Sequence, residues 1–255
     1  MIRIGKYVLY DIIRNRFVLL YTLFLLVVTL SMLSLDSDSG KSTLSLLNIV
    51  LLVVPLVSVI FTTIYFFNSY EFIELLLSQP VNRTTIFFAE FLSIVLTLSC
   101  AILVGVALPL ILMNPSESSA FVVLAGMLLT FVFAALAFVG SVFTRDKAKG
   151  VGVSLLFWFY FTLIYDGFVL YIIYYFSDYP LEKVTLVLVS LNPVDLARIV
   201  ILLKLDVSAL MGYTGAFYKN FFGTSLGITF SFLMLVAWTV LPLLIAARKF
   251  IRKDI

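Results

Sequence analysis

Histidine is absent from this 255-residue chain, and cysteine occurs once. Without histidine the sequence lacks the commonest metal ligand and the commonest general base. That excludes a histidine-ligated zinc enzyme and a histidine-dependent nucleophilic triad. The single Cys100 cannot form an intramolecular disulfide. Charge is scarce as well: 12% of residues are Asp, Glu, Lys or Arg, against about 25% in an ordinary soluble domain. The net charge of +3 is small, and the basic residues sit beside apolar runs. No nucleic-acid partner is expected on that basis. What fills the sequence is apolar, 63% of residues, with a mean hydropathy of +1.17. A soluble fold of this size could not hide so much apolar surface, so the chain reads as an integral membrane protein in contact with the lipid bilayer. No cleavable signal peptide is expected, because charge runs through the first sixteen residues and the next apolar run is long enough to span.

Six runs can cross a hydrocarbon core of about 30 Å, which takes about 20 apolar residues in a helix. They cover 17–35, 44–67, 86–113, 119–143, 151–176 and 225–247. Their continuity excludes a β-barrel, whose strands alternate apolar and polar residues. The fold class expected is all-α: a polytopic membrane protein with six transmembrane helices over 17–247. An interfacial helix precedes them over 1–16, with Arg3, Lys6 and Arg14 on one stripe and Ile4, Val8 and Ile12 on another. A basic tail follows over 248–255. Twelve of the seventeen Lys and Arg residues fall on one side of this arrangement. The positive-inside rule then puts both termini and the loops 68–85 and 144–150 in the cytoplasm, with 36–43, 114–118 and 177–224 outside. The expected location is a bacterial inner membrane. Tyr171, Tyr174, Tyr175 and Tyr179 close the fifth run as an outer aromatic belt would.

Two connecting segments carry information. In loop 68–85, Glu71 and Glu74 lie one turn apart, Leu75 to Leu77 follow, and Pro80 stops the helix. Acid on the cytoplasmic side is not needed for topology, and a partner protein is one reason for it. Segment 177–224 is too long for a plain loop. Its stretches 181–191 and 194–206 read as helices lying on the outer surface. Asn192-Pro193-Val194-Asp195 suits a helix start, with Asn192 as N-cap, Pro193 first and Asp195 third. Arg198 is spaced to pair with Asp195. In the fourth run, Gly126, Thr130, Ala134, Ala137 and Ser141 form a stripe of small residues, which lets helices approach closely in lipid, within the chain or between protomers.

Several motifs fail on inspection. Gly40-Lys41-Ser42-Thr43 ends like a P-loop, but Leu35 stands where the first glycine belongs, and no strand precedes it. The chain therefore has no nucleotide site of its own. Asn82-Arg83-Thr84 fits a glycosylation sequon but falls in a cytoplasmic loop. Tyr165-Asp166 matches the first half of an intramembrane aspartyl protease signature, and the second half is missing. No catalytic residue is assigned. Asp166 still demands a reason. It lies about 22 Å into its span at 1.5 Å per residue. No Lys or Arg falls inside a span to neutralise it. That leaves protonation, a hydrogen bond to a hydroxyl such as Tyr165 or Tyr171, or water in a translocation route. Met32 and Met113, near the outer ends of the first and third runs, are further candidates for that route, since thioethers bind Cu(I), although methionine is also ordinary apolar filler. Whether a metal contacts the chain is open at this point.

The interfacial helix, six spans, acidic cytoplasmic helix and outer helical segment together resemble permeases of the ABC-2 transporter superfamily. The stretch Glu71-x-x-Glu74-Leu75-Leu-Leu-Ser78-x-Pro80-x-x-Arg83 is similar to the coupling helix of that group. One departure is that Asn68-Ser69-Tyr70 replaces the acidic residues usual just before that helix. The resemblance implies a dimer, a second copy of the chain, and two copies of a cytoplasmic ABC ATPase that binds ATP and Mg; this chain itself binds no cofactor. Two further stretches, Lys149 to Phe159 followed by Asp166, and Leu191-Asn192-Pro193-x-Asp195-x-x-Arg198, are similar to one branch of the superfamily. That branch supports maturation of the copper centres of nitrous oxide reductase, handling a copper or sulfur species with a periplasmic β-helix protein. On this view Asp166, Met32 and Met113 line the translocation route or outer gate, and Asn192, Asp195 and Arg198 face the periplasmic partner. Two alternatives stay open: another ABC-2 exporter moving a lipid, glycan or peptide, and a non-transporting scaffold that transmits ATPase work.

Overall fold

The computed structural model describes residues 12, 15–35, 39–77, 82–176, 179, 181–204 and 221–252. The interfacial helix expected over 1–16 falls outside them except for residues 12, 15 and 16, as do Ser78, Pro80 and stretch 205–220. The described residues form helices and no strand. Six helices are long and apolar enough to cross a membrane. They are α1 (Arg16–Leu35), α2 (Ser39–Asn68), α4 (Arg83–Met113), α5 (Glu117–Phe143), α6 (Lys147–Tyr175) and α9 (Ser225–Ile251). Between them lie α3 (Tyr70–Leu77), α7 (Glu182–Ser190) and α8 (Pro193–Lys204).

Contacts between helix ends fix which ends share a face. Lys147 Nζ, at the start of α6, donates to Asn68 Oδ1 at the end of α2, 2.8 Å away. Arg83 Nη1, at the start of α4, donates to the Ile251 carbonyl at the end of α9, 3.3 Å away. The Phe250 ring packs against Phe66 and Phe87 at 6.4 and 5.3 Å. These ends form one face, which carries Arg83, Arg145, Lys147, Lys149, Arg248 and Lys249 and is called the basic face below. At the opposite face Asn114 Nδ2 donates to Thr43 Oγ1 at 3.2 Å, joining the turn after α4 to the start of α2. The chain thus alternates faces helix by helix. Because α6 ends and α9 begins on the same face, the chain between them must return to the face it left.

The core centres on α5, which packs against α2, α4, α6, α8 and α9. Its residues from Val132 to Phe138 are all buried. The small-residue stripe is buried as well: Thr130, Ala134, Ala137 and Ser141 have no exposed surface. Its packing is internal. A Cβ on Gly126 would stand 3.2 Å from Val50 Cγ1 of α2, and one on Gly140 would stand 2.8 Å from Ser154 Oγ of α6. Small residues let the backbones close to that range, where dispersion replaces the hydrophobic effect that lipid cannot supply. The Phe138 ring adds edge contacts to Phe66, Phe87 and Phe91 at 5.2–5.5 Å. Polar links tie α6 to α2: Thr63 Oγ1 donates to Ser154 Oγ at 2.8 Å, and Trp158 Nε1 donates to the Leu52 carbonyl at 3.2 Å.

Two spans contain a single wide π turn, Leu103–Ala107 in α4 and Tyr160–Ile164 in α6. The first precedes Pro109, which has no N–H to give the regular ladder, so the turn widens locally. It also receives α1, because Gly105 offers no side chain there. A Cβ at that position would meet Leu25 Cβ at 2.6 Å and the Thr22 carbonyl at 3.0 Å. Gly105→Val should push α1 off the bundle and cost about 1–3 kcal/mol. Gly152→Ala, inside α6 where a Cβ meets nothing within 4 Å, should hold stability or raise it by up to about 1 kcal/mol. Thermal unfolding of the two variants in the same detergent checks the pair.

Candidate functional site

The segment between α6 and α9 turns back on itself. Helix α7 is capped by Leu191, whose N–H reaches the Val187 and Leu188 carbonyls at 3.1 Å. Pro193 then disfavours a helical Asn192 and removes the next N–H, so the ladder cannot continue. Asn192 caps the new helix as its sequence predicts: the Val194 N–H donates to Asn192 Oδ1 at 3.0 Å. Helices α7 and α8 meet at 111°, well past a right angle. Together with the return required by the helix ends, this makes them a re-entrant hairpin.

The tip of the hairpin sits deep. Asn192 Nδ2 donates to the Phe161 carbonyl at 2.9 Å, and Phe161 lies midway between Lys147 and Tyr175. That is about 21 Å from either end of α6 at 1.5 Å per residue. The π turn of α6 is at this level. There the Tyr165 N–H bonds to Tyr160, five residues back, instead of to Phe161, and the Phe161 carbonyl accepts from the hairpin. Higher up, Tyr165 donates its hydroxyl proton to the Leu188 carbonyl at 2.7 Å.

This geometry corrects the expectation of helices lying on the outer surface. Helix α8 packs against α5, α9, α2 and the π turn of α6, and Val194, Leu196, Ala197, Ile199, Ile201 and Leu203 are buried. The reason is physical: a helix apolar on most sides gains more from protein contacts than from lying on the bilayer, and non-helical backbone at membrane depth is stable only inside protein. It also turns inward the three residues expected at a partner surface. Asn192 is fully buried, Asp195 is buried and Arg198 is half-buried.

Asp166 meets these residues. Arg198 Nη1 donates to Asp166 Oδ2 at 2.9 Å and to Asp195 Oδ1 at 3.1 Å. Asn192 Nδ2 donates to Asp195 Oδ2 at 2.9 Å. The guanidinium thus bridges α6 and the hairpin. None of the three fates expected for Asp166 described this, because the spans alone hold no cation; the cation arrives from the loop. The i,i+3 spacing of Asp195 and Arg198 gives the pair that it predicts. The other two residues assigned to the route are apart from this cluster: Met32, half-buried in α1, and Met113, exposed at the end of α4, make none of its hydrogen bonds. Among the described residues no group of three or more Cys, Asp or Glu side chains is placed to hold a metal ion.

On the basic face, α3 forms where the sequence places an acidic amphipathic helix. Ile73 anchors it in the core, while Glu71, Phe72, Glu74 and Leu75 are exposed. Arg83 is half-buried and tied to the Ile251 carbonyl. Beside α3 a cavity of about 700 Å³ opens between Phe67, Tyr70, Glu71, Thr144, Arg145, Lys249 and Arg252. The joint between α2 and α3 holds a residue that the sequence reading missed. Ser69 donates to Glu90, which is buried in α4 with its second oxygen unpartnered among the described residues. An acid inside an apolar run near a span end was the available signal.

Six spans, an amphipathic helix exposed on the basic face and a hairpin locked into the opposite half define a polytopic membrane protein. The comparisons agree. The family model described as "ABC-2 family transporter protein" matches residues 49–255, and the chain belongs to that family. It is an ABC-2 transporter permease. It is also similar to the "Probable ABC transporter permease protein NosY" of Pseudomonas aeruginosa, 31% identical over 148 residues that make up 54% of each chain. The chain thus matches about half the length of that curated relative.

Removing the hairpin's anchors should loosen it. Asn192→Ala leaves the Phe161 carbonyl and the Val194 N–H without partners and should cost about 1–3 kcal/mol. Arg198→Met leaves two carboxylates without their guanidinium and should cost roughly 3 kcal/mol, the low end for a broken buried pair because Arg198 keeps some exposure. Unfolding temperatures in lipid nanodiscs should fall for both.

Proposed function

We propose that this chain is the membrane subunit of an ABC transporter that works as a homodimer with two copies of a separate cytoplasmic ATPase. The observation that carries the reading is α3. A short helix with acidic and apolar residues exposed together on the basic face suits insertion into a cleft of a partner. The ATPase binds ATP and Mg, and its closure would move α3. The adjoining cavity is lined by Arg145, Lys249 and Arg252 against the single carboxylate of Glu71. The partner surface therefore brings acid to the cavity and basic or amide donors to Glu71 and Glu74. Ser78, Pro80 and Arg83 complete the coupling loop in this reading.

The basic face is the cytoplasmic side, with both termini there, in a bacterial inner membrane. The hairpin is then the outer gate, with Asp166 at its latch and Met32 and Met113 near the outer mouth. The similarity to NosY supports a place in a NosDFY-type system, in which the permease serves maturation of the copper sites of nitrous oxide reductase. A periplasmic β-helix protein of the NosD kind would meet the outer end. The cargo is a copper or sulfur species, or the chain passes mechanical work to that partner. The interior among the described residues is mostly apolar. The same interior keeps a second reading in play, an ABC-2 exporter of a lipid, glycan or peptide.

Copurification tests the docking. Glu71→Lys combined with Glu74→Lys should remove most of the ATPase recovered with the tagged permease. A desolvated charge contact reversed in this way costs about 2–5 kcal/mol. Full recovery of the ATPase would refute the docking. Asp166→Leu and Arg198→Met should also abolish maturation of the reductase in cells where permease levels are matched. Normal maturation would remove the latch from the function.

A further inference from the structure

The cluster that locks the hairpin does not balance. Asp166 and Asp195 bring two carboxylates, and among the described residues Arg198 is the one guanidinium that bonds them. The other charged groups are remote in sequence or lie at helix ends. On α6 the neighbouring titratable residues are Tyr160, Tyr165 and Tyr171; Tyr171 is exposed, Tyr165 spends its proton on the Leu188 carbonyl, and its ring packs against that of Tyr160. Helix α5 has no ionisable residue after Glu117, and α9 has none before Arg248. Helix α2 has Lys41 and Tyr65, α7 has Glu182 and Lys183 in its first turn, and α8 has Lys204 as its last residue. With both carboxyls ionised, the cluster would carry one net negative charge in the outer half of the membrane, where ionised side chains are expensive.

The hydrogen bonds locate the missing charge. Both Asp195 oxygens accept, one from Arg198 and one from Asn192. Asp166 Oδ2 accepts from Arg198. Asp166 Oδ1 is buried with no donor among the described residues, and the two carboxyls accept from the same guanidinium nitrogen at 2.9 and 3.1 Å, which holds them side by side. Two ionised carboxylates at that range repel. One proton between them supplies the missing donor and cancels the net charge.

We propose that Asp166 and Asp195 together bind one proton taken from water on the outer side, and that this proton seats the α7–α8 hairpin against α6. Losing it leaves a net negative charge that water or a cation must solvate, so the hairpin loosens as the outer pH rises. The proton itself follows from the geometry of the cluster; its effect on transport rests on the gate reading above.

Infrared spectroscopy of the full-length permease in nanodiscs separates the two. Wild type at neutral pH should show a protonated-carboxyl band that shifts in deuterium oxide. Asp166→Asn and Asp195→Asn should each abolish this band, because either change leaves one carboxylate matched to Arg198. The variants are isosteric, and buried Glu90 is common to all three proteins, so its contribution cancels in the difference spectra. A difference spectrum without a protonated carboxyl, or a band that survives either substitution, overturns the shared proton. The latch is read separately by outside labelling of Val194→Cys in a Cys100→Ser background. Labelling should rise more steeply with pH in that protein than in the same protein carrying Asp195→Asn, whose cluster is neutral without a proton. Identical pH dependence overturns the latch and leaves the infrared result standing on its own.

Discussion

A chain that stops being helical in the middle of a membrane must find its hydrogen bonds inside the protein, because lipid offers none. The Asn192 side chain meets this constraint with three bonds: its amide nitrogen reaches the Phe161 carbonyl and Asp195, and its oxygen takes the Val194 N–H. The rest of the half opposite the basic face follows from it. The π turn of α6 presents Phe161, and Pro193 forces the bend. The first turn of α8 then places Asp195 and Arg198 beside Asp166. Without the Asn192 contacts, the tip would expose backbone polar groups, and the hairpin would have no reason to enter.

Helix α6 connects this lock to the basic face. Its first residue, Lys147, bonds Asn68 next to the α2–α3 joint, and its middle and outer parts carry Phe161, Tyr165 and Asp166. Along the way Thr63 and Leu52 of α2 hold it through Ser154 and Trp158. A displacement of α3 therefore reaches α6 through the end of α2, and α6 meets the hairpin directly. Spatial continuity of this kind is what the proposed coupling needs. The arrangement does restrict where movement is cheap. The α5 core, with its residues buried from Val132 to Phe138, is the part least able to deform.

Much of this was legible in the sequence. The six spans follow from run length, and their observed ends lie within a few residues of the expected ones. The short helix at Tyr70–Leu77, the Asn192 cap, the Asp195–Arg198 pair and the buried small-residue stripe follow from local rules of spacing. What was not legible is what local rules omit. The apolar pattern of α8 is the same for a helix on the bilayer as for one inserted among α5 and α9. Helix periodicity does not report which side chain comes from a loop thirty residues away, so Arg198 could not be given to Asp166. The π turns leave almost no trace in composition.

The joint between α2 and α3 shows how such long-range placement can offset a local departure. Asn68-Ser69-Tyr70 puts amide, hydroxyl and phenol where coupling helices of the resembled group carry acid. Here the acid comes from another span: Glu90 of α4 accepts from Ser69, whose oxygen also lies within 3.2 Å of the Tyr65 and Phe66 carbonyls. Asn68 in turn accepts from Lys147. The joint is thus tied to α4 through a buried carboxyl and to α6 through an exposed ammonium. These two ties differ in kind. The contact in low dielectric is stiff and hard to break without leaving a buried polar group unsatisfied. The exposed one is weak and screened by salt. A push on α3 should therefore carry α4 with it as one body, while the link to α6 yields first and sets where the motion hinges.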